Sequence, residues 1–226
     1  MKPITKLADT TLADGSQLGI WQRDGYHFLL KDGMQIASDF SFGSDQSMGE
    51  YAAAPVKRAN QPTFLIDGLN LGHTLFSIMS LINKERAHFV VAEPCAPLVS
   101  WHEQFLPDQS GQYLQDPRVQ IEYAPGITVA RKNSNTFHGI LIKHTHDRYN
   151  LSIGEAADFA SSLKGGGLLI ISIARPDTKL TKTLQRAGFD VSTEAVPAAQ
   201  KGKQNHFHTL VLARKGRFTS FAQRRA

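Results

Sequence analysis

Two hydrophobic rhythms alternate along most of this chain. After Pro62, short apolar runs are followed by stretches in which apolar residues recur at spacings of three and four. The runs are Thr63-Phe64-Leu65-Ile66, His88-Phe89-Val90-Val91-Ala92, Val119-Gln120-Ile121-Glu122-Tyr123, Gly139-Ile140-Leu141-Ile142 and Leu168-Leu169-Ile170-Ile171-Ser172-Ile173. Their length and β-branched content predict strands. Between them, Leu75, Ile78, Met79 and Ile82 share one helical face, and Leu98, Trp101 and Phe105 share another. Ala156, Phe159, Ala160 and Leu163 repeat the helical spacing, with Gly165-Gly166-Gly167 read as the break that ends that helix. Leu180 and Leu184 mark a last helix, and strands near Val191 and from His208 to Leu212 close the chain around a basic loop, Ala198 to Asn205. Strands alternating with helices predict an α/β fold with a mostly parallel sheet covered on both faces.

Before Pro62 the rhythm differs. Asp24-Gly25 and Asp32-Gly33 are tight-turn dipeptides between three short runs, and Tyr26, Phe28 and Leu30 alternate with His27 and Lys31. Leu18 to Phe40 therefore reads as a β-meander. The polar stretch Ser41 to Glu50 reads as a loop, and Tyr51 to Ala54 as a short helix stopped by Pro55. The expected division is a meander with its connection over 1–55, the α/β domain over 56–215 and a basic tail over 216–226.

One turn carries candidate chemistry. Gly68-Leu69-Asn70-Leu71-Gly72 joins the first α/β strand to its helix, an arrangement that lets backbone N–H groups approach a nucleotide-like ligand. Glu93 ends the next strand, roughly 20 residues on, where an acid can accept hydrogen bonds from ribose hydroxyls. Turn, helix and acid together point to an adenosine-type site.

Composition changes this picture little. The 226 residues suit one α/β domain with an appendage, and 41% hydrophobic and 20% charged residues are ordinary for a globular protein. There is neither an apolar run long enough to span a membrane nor an apolar signal core near Met1, so cytoplasm is the expected location. Cys95 is the single cysteine and excludes an intramolecular disulfide. The net charge of +5 is concentrated late, in Lys201, Lys203, Arg214, Lys215, Arg217, Arg224 and Arg225. A nucleic-acid contact is one reading and a solvated tail the plainer one, because no RNA-binding aromatic signature accompanies the charges.

Several segments taken in order resemble a family. They are Leu65 to Gly72, Val91-Ala92-Glu93-Pro94, Asp116-Pro117-Arg118-Val119, Leu163-Lys164-Gly165-Gly166-Gly167-Leu168 and Arg186-Ala187-Gly188-Phe189-Asp190-Val191. From Thr63 to Lys215 the chain resembles the Rossmann-like class I methyltransferase fold, whose sheet has seven strands, and within it the spermidine-synthase-like branch. A small N-terminal β-domain also fits that branch. The resemblance implies a site for S-adenosylmethionine or its decarboxylated form, and transfer of a methyl or aminopropyl group to a small-molecule acceptor. It implies ligand contacts from Asp67, Gly68, Leu69, Asn70 and Gly72, and ribose binding by Glu93. A homodimer through the meander is also expected.

The chain departs from the family pattern at three places. Asn70 replaces the middle glycine of the turn, Tyr123-Ala124-Pro125-Gly126 lacks the acid usual after the third strand, and Lys143-His144-Thr145-His146-Asp147 stands where acids receive the attacking amine. A lysine there is expected to repel a polyamine. His144, His146 and Asp147 are the candidate catalytic groups, since a neutral imidazole is a competent base near neutral pH. The H-x-H pairs, His144 with His146 and His206 with His208, lack the further ligands a zinc site needs, so no metal is expected. Cys95, without a paired base in sequence, reads as a small buried residue. Three descriptions stay open: a transferase with an acceptor other than an ordinary polyamine, a non-catalytic relative that keeps the fold as a binding module, and a nucleic-acid-associated protein using the basic C-terminal region.

Overall fold

In the computed structural model, residues 3–144, 149–199 and 206–216 are described. An antiparallel sheet comes first: β1 (Thr5–Thr11), β2 (Gln17–Arg23), β3 (Tyr26–Lys31) and β4 (Met34–Ser38) pair in sequence order. The meander thus has four strands, one more than its turn signals predict. Its first strand is polar and mostly exposed, so alternation does not reveal it. Asp24 and Asp32 both take the left-handed conformation the Asp-Gly turns require.

The second sheet has seven strands, β5 (Thr63–Asp67), β6 (His88–Ala92), β7 (Val119–Glu122), β8 (Phe137–Lys143), β9 (Leu163–Ile173), β10 (Phe189–Pro197) and β11 (Phe207–Lys215). Their order is β10-β11-β9-β8-β5-β6-β7. β5 is flanked by β6 and β8, both parallel to it, whereas β11 runs antiparallel to β9 and β10. From β5 the chain winds outward to β6 and β7, then returns to the other side at β8. That reversal leaves a crevice at the C-terminal edge between β5 and β8.

The helices are α1 (Gly43–Ala53), α2 (His73–Leu81), α3 (Ala96–Phe105), the short α4 (Gln112–Leu114), α5 (Gly126–Lys132), α6 (Ile153–Ser162) and α7 (Thr178–Arg186). Strand alternation sorts the core onto two faces. Phe64, Ile66, Phe89 and Val91 pack with Met48 and Ala52 of α1 and Leu75 and Ile78 of α2. Leu65, Ile140 and Leu169 pack on the opposite face with Val129, Phe159 and Leu184. A third core joins the sheets: Leu18, Ile20 and Leu29 cover Leu71, Leu98 and Trp101. The meander is a sheet of its own, seated on the glycine turn and α3.

Three boundaries differ from the sequence expectation. Ser41 to Glu50 is no loop, because α1 begins at Gly43; apart from Met48 its buried side is made of small and polar residues that carry little hydrophobic signal. Gly165 to Gly167 do not separate helix from strand: α6 has already ended at Ser162, and the glycines lie inside β9. α5 follows Pro125 without having announced itself, being only seven residues long.

Close packing of α1 on α2 rests on Gly49, where a Cβ would come within 2.9 Å of the Ser77 backbone. Alanine there gains about 1 kcal/mol in helix preference but overpacks against main chain at about 1–3 kcal/mol. Gly49→Ala should therefore lower stability by about 1 kcal/mol in urea unfolding, the middle of that difference. An unchanged or raised midpoint would contradict so close a contact.

Candidate functional site

The C-terminal edge of the parallel sheet gathers the glycine turn, Asp67 and Glu93. The turn needs positive φ at three positions. Gly68 (φ 88°) and Gly72 (φ 79°) supply it freely, and Asn70 adopts it at 50°, as asparagine tolerates better than most residues. The turn is also satisfied from within. Gly68 N–H donates to the Ala92 carbonyl at 2.9 Å and Gly72 N–H to the Leu69 carbonyl at 2.8 Å. Leu69 N–H donates to Glu93 Oε2 at 2.9 Å. These three N–H groups, which the sequence offers to a ligand, are engaged by the protein itself.

Glu93 holds two segments at once. Its other oxygen, Oε1, accepts from Cys95 N–H at 2.8 Å, so the carboxylate ties the turn after β5 to the turn after β6. Burial lifts its pKa above the ordinary range, against the pull of the two N–H donors. A carboxylate has about four acceptor positions, and the two backbone bonds leave the rest available. Glu93 lines a cavity of about 650 Å³ together with Asn70, Cys95, Leu98 and Pro125, roofed by Leu18 and Ile36 of the meander. Lys31 also reaches this cavity, with its ammonium 3.0 Å from Asp14 Oδ2.

Behind the turn, a buried histidine fixes its shape. His102 on α3 donates from Nε2 to the Asn70 carbonyl at 2.9 Å and receives the Ser110 hydroxyl at Nδ1. Burial lowers its pKa to about 4, so the ring stays neutral, as this donor–acceptor pattern requires. Ser110 also meets the turn directly, since a Cβ on Gly72 would lie 2.6 Å from the Ser110 Cβ. Neither residue belongs to a sequence motif. The geometry that calls for them exists only after α3 folds back onto the turn.

Asp67 closes β5. Its Oδ1 accepts from Gly126 N–H at 3.0 Å, holding the start of α5 against the strand end. A Cβ at Gly126 would overlap the carboxylate, so glycine is required there. Burial raises the Asp67 pKa to about 6, opposed by that N–H and reinforced by the charge of Glu93. Tyr149, whose phenol is pushed above its ordinary range by burial and then by the Asp67 charge, packs edge-on to His144 at 5.2 Å.

His144 follows the end of β8, and its N–H donates to the Ser172 carbonyl at 2.9 Å. His146 and Asp147, the other candidate catalytic residues, lie outside the described residues. His208 is bound through Nδ1 to the Ser44 hydroxyl at 2.9 Å. Lys143 behaves differently from the expectation of an exposed repelling charge. Its ammonium forms a buried ion pair with Asp45 of α1, 98 residues away in sequence, and the two side chains are only 5% and 2% exposed. Thr74 Oγ1 donates to the other Asp45 oxygen at 2.6 Å. The pair anchors α1 at the end of β8.

By sequence, the chain matches no family model and no curated protein. By structure, it superposes on the spermidine synthase of Thermotoga maritima with a TM-score of 0.72 at 15% identity, over 95% of this chain and 73% of that one. A probable spermidine synthase from Corynebacterium glutamicum ATCC 13032 gives 0.70 at 13% identity, over 97% and 83%. A putative S-adenosylmethionine dependent methyltransferase from Listeria monocytogenes gives 0.55 at 12% identity, over 75% and 97%. The fold is therefore one that this chain shares with the solved spermidine synthases and, over three-quarters of its length, with the methyltransferase, the meander falling within the 95% of the chain that superposes on the first.

The raised Asp67 pKa has a definite consequence for stability. The folded protein keeps the Asp67 proton up to about pH 6 and the unfolded chain only to about 3.8, so stability falls as pH rises through that window. Asp67→Asn, which keeps an oxygen for Gly126 N–H, should remove this dependence. It should exceed the wild type by up to about 3 kcal/mol at pH 7 and lose that advantage below about pH 4, read by urea unfolding across pH. Parallel pH profiles for the two proteins would show that Asp67 ionises normally.

Lys143→Met strands a buried carboxylate and should cost about 3–5 kcal/mol, whereas Lys143→Met with Asp45→Asn should recover most of it. Additive losses in that cycle would rule out a coupled pair.

Proposed function

We propose that the chain binds an adenosyl-sulfonium ligand, S-adenosylmethionine or its decarboxylated form, in the cavity beside Glu93. The observation that carries this reading is the Glu93 carboxylate itself. It is held rigid by two backbone N–H groups and opens with its remaining acceptor positions into a cavity at the edge where ligands bind open α/β sheets. Ribose hydroxyls are donors of matching chemistry. Leu98, Pro125, Leu18 and Ile36 provide apolar walls of the kind that suit a purine. Asp14 offsets the Lys31 ammonium, which would otherwise oppose a sulfonium. When bound, such a ligand supplies a carbon activated for transfer by the adjacent positive sulfur. The chain's own part is to fix the ribose through Glu93 and to hold the turn through His102.

A second reading, a relative that binds without turnover, is favoured by the Lys143–Asp45 pair. The acids that would receive and deprotonate a diamine are replaced there by a lysine whose charge is already neutralised inside the protein. A free polyamine finds no acceptor carboxylate in this pair, so an ordinary spermidine synthase activity is not part of the proposal. Methyl transfer to another acceptor, with His144 as the nearby base, is the catalytic form of the proposal.

Calorimetric titration with both sulfonium compounds tests the binding step. The wild type should bind at least one, and Glu93→Ala should weaken that binding by about 1–3 kcal/mol, the cost of losing a charged acceptor. Circular dichroism on the same variant separates ligand loss from loss of the turn. Heat-silent titrations without thermal stabilisation by either compound would refute the proposal. With decarboxylated S-adenosylmethionine and putrescine, product should form far more slowly than the roughly 1 per second of an ordinary enzyme.

A further inference from the structure

A small polar cavity of about 110 Å³ lies where the meander meets the C-terminal edge of the seven-stranded sheet. Its lining comes from Gln35, Ile36 and Ala37 of β4 with Ser41 beyond it, Lys143 at the end of β8, and His208 near the start of β11. Ile36 also lines the cavity beside Glu93, so one side chain stands between the two spaces. No acid is among the residues lining the smaller one.

The bonds around His208 fix the place of its ring proton. Ser44 is fully buried, and among the described residues its hydroxyl bonds only to His208 Nδ1, at 2.9 Å. A buried hydroxyl with a single acceptor donates to it, so Nδ1 accepts and the ring proton sits on Nε2. Among the described residues Nε2 has no hydrogen-bond partner, and it is open to the cavity. Burial, and then the Lys143 charge, hold the His208 pKa below its ordinary value, against the pull of Asp45. Near neutral pH the ring is therefore a neutral donor.

Lys143 adds a second donor. Its ammonium carries three N–H groups. Asp45 takes one, and the Ser41 carbonyl, 3.4 Å away, engages another weakly. Asp45, which offsets this charge from α1, does not line the cavity.

We propose that this cavity binds the carboxylate of a small monoanion. One carboxylate oxygen accepts from His208 Nε2 and the other from the remaining N–H of Lys143. The volume equals that of three or four waters at about 30 Å³ each, which suits a group of acetate's size. A dianion exceeds what the site offers, because Asp45 already offsets Lys143 and the imidazole is neutral. An ammonium would meet the Lys143 charge and no lining acid. The assignment does not rest on adenosyl binding, which concerns the cavity beyond Ile36.

The test titrates the full chain with sodium acetate at constant low ionic strength, following the backbone amide signals of residues 35–41 by NMR. Acetamide, of the same shape without the charge, is the counterpart. Saturable binding of acetate is expected, with acetamide at least about tenfold weaker, as the loss of charge-assisted hydrogen bonds demands. His208→Phe combined with Ser44→Ala, which leaves no hydroxyl stranded, should weaken acetate at least about tenfold. Gln35 is exposed, so Gln35→Glu and Gln35→Lys keep the fold even where the double variant does not. The glutamate should weaken acetate about threefold and the lysine strengthen it about threefold, since each charge acts partly through water. Absence of saturable binding, equal affinity for acetamide, unchanged affinity in the folded double variant, or equal affinity in the two Gln35 variants would each overturn the assignment. A parallel titration with S-adenosylmethionine reads the larger cavity separately.

Discussion

The two oxygens of Glu93 impose the constraint on which this architecture turns. A parallel sheet ends in loops whose backbone donors have no ladder partner, and buried donors left alone are costly. Here one carboxylate serves the turns after β5 and β6 together, through Leu69 N–H and Cys95 N–H. The glycine turn is then set from above by Glu93 and from behind by His102. Both act on a backbone already committed to left-handed geometry at Gly68, Asn70 and Gly72. The turn lies between two cavities, one lined by Asn70 and Glu93 and the other by Leu71 and Gly72.

The acids near this edge divide into distinct electrostatic roles. Glu93 is buried and Asp67 half-buried against backbone N–H groups, both with raised pKa, Asp45 is neutralised by Lys143, and Asp39 faces the rings of His27 and His73. A charge count from sequence treats all four alike. Their difference comes from what lies opposite each: a main-chain donor, an ammonium, or an imidazole ring.

Period and punctuation made most of the fold legible. Strands from Thr63, His88 and Gly139 and the helix through Leu75 and Ile78 carry strong patterns because each buries a continuous apolar face. The Gly68–Gly72 turn and Glu93 were readable because their spacing is local. What escaped has one cause: its signal lies in long-range contact. Asp45 and Ser44 look like loop polars until α1 is docked, His102 looks like a surface residue of an amphipathic helix, and Lys143 looks exposed until its partner arrives. β1 escaped for the opposite reason, as an edge strand of polar residues that buries too little to pattern itself.

The ion pair between Asp45 and Lys143 also bears on the order of assembly. As the chain leaves the ribosome, α1 emerges long before β8, and among its buried residues only Met48, Ala52 and Ala53 are apolar. Its charged anchor does not exist until the fourth strand of the parallel order has been made. Contacts of such sequence separation form late, after the cost of closing a long loop has been met. The meander can fold early on local turns, so the connection from residue 41 to residue 62 stays open as a hinge during synthesis. Full docking of α1 therefore needs β8 as well as α2, since its apolar side rests on α2 and the sheet while its charge is met only by Lys143.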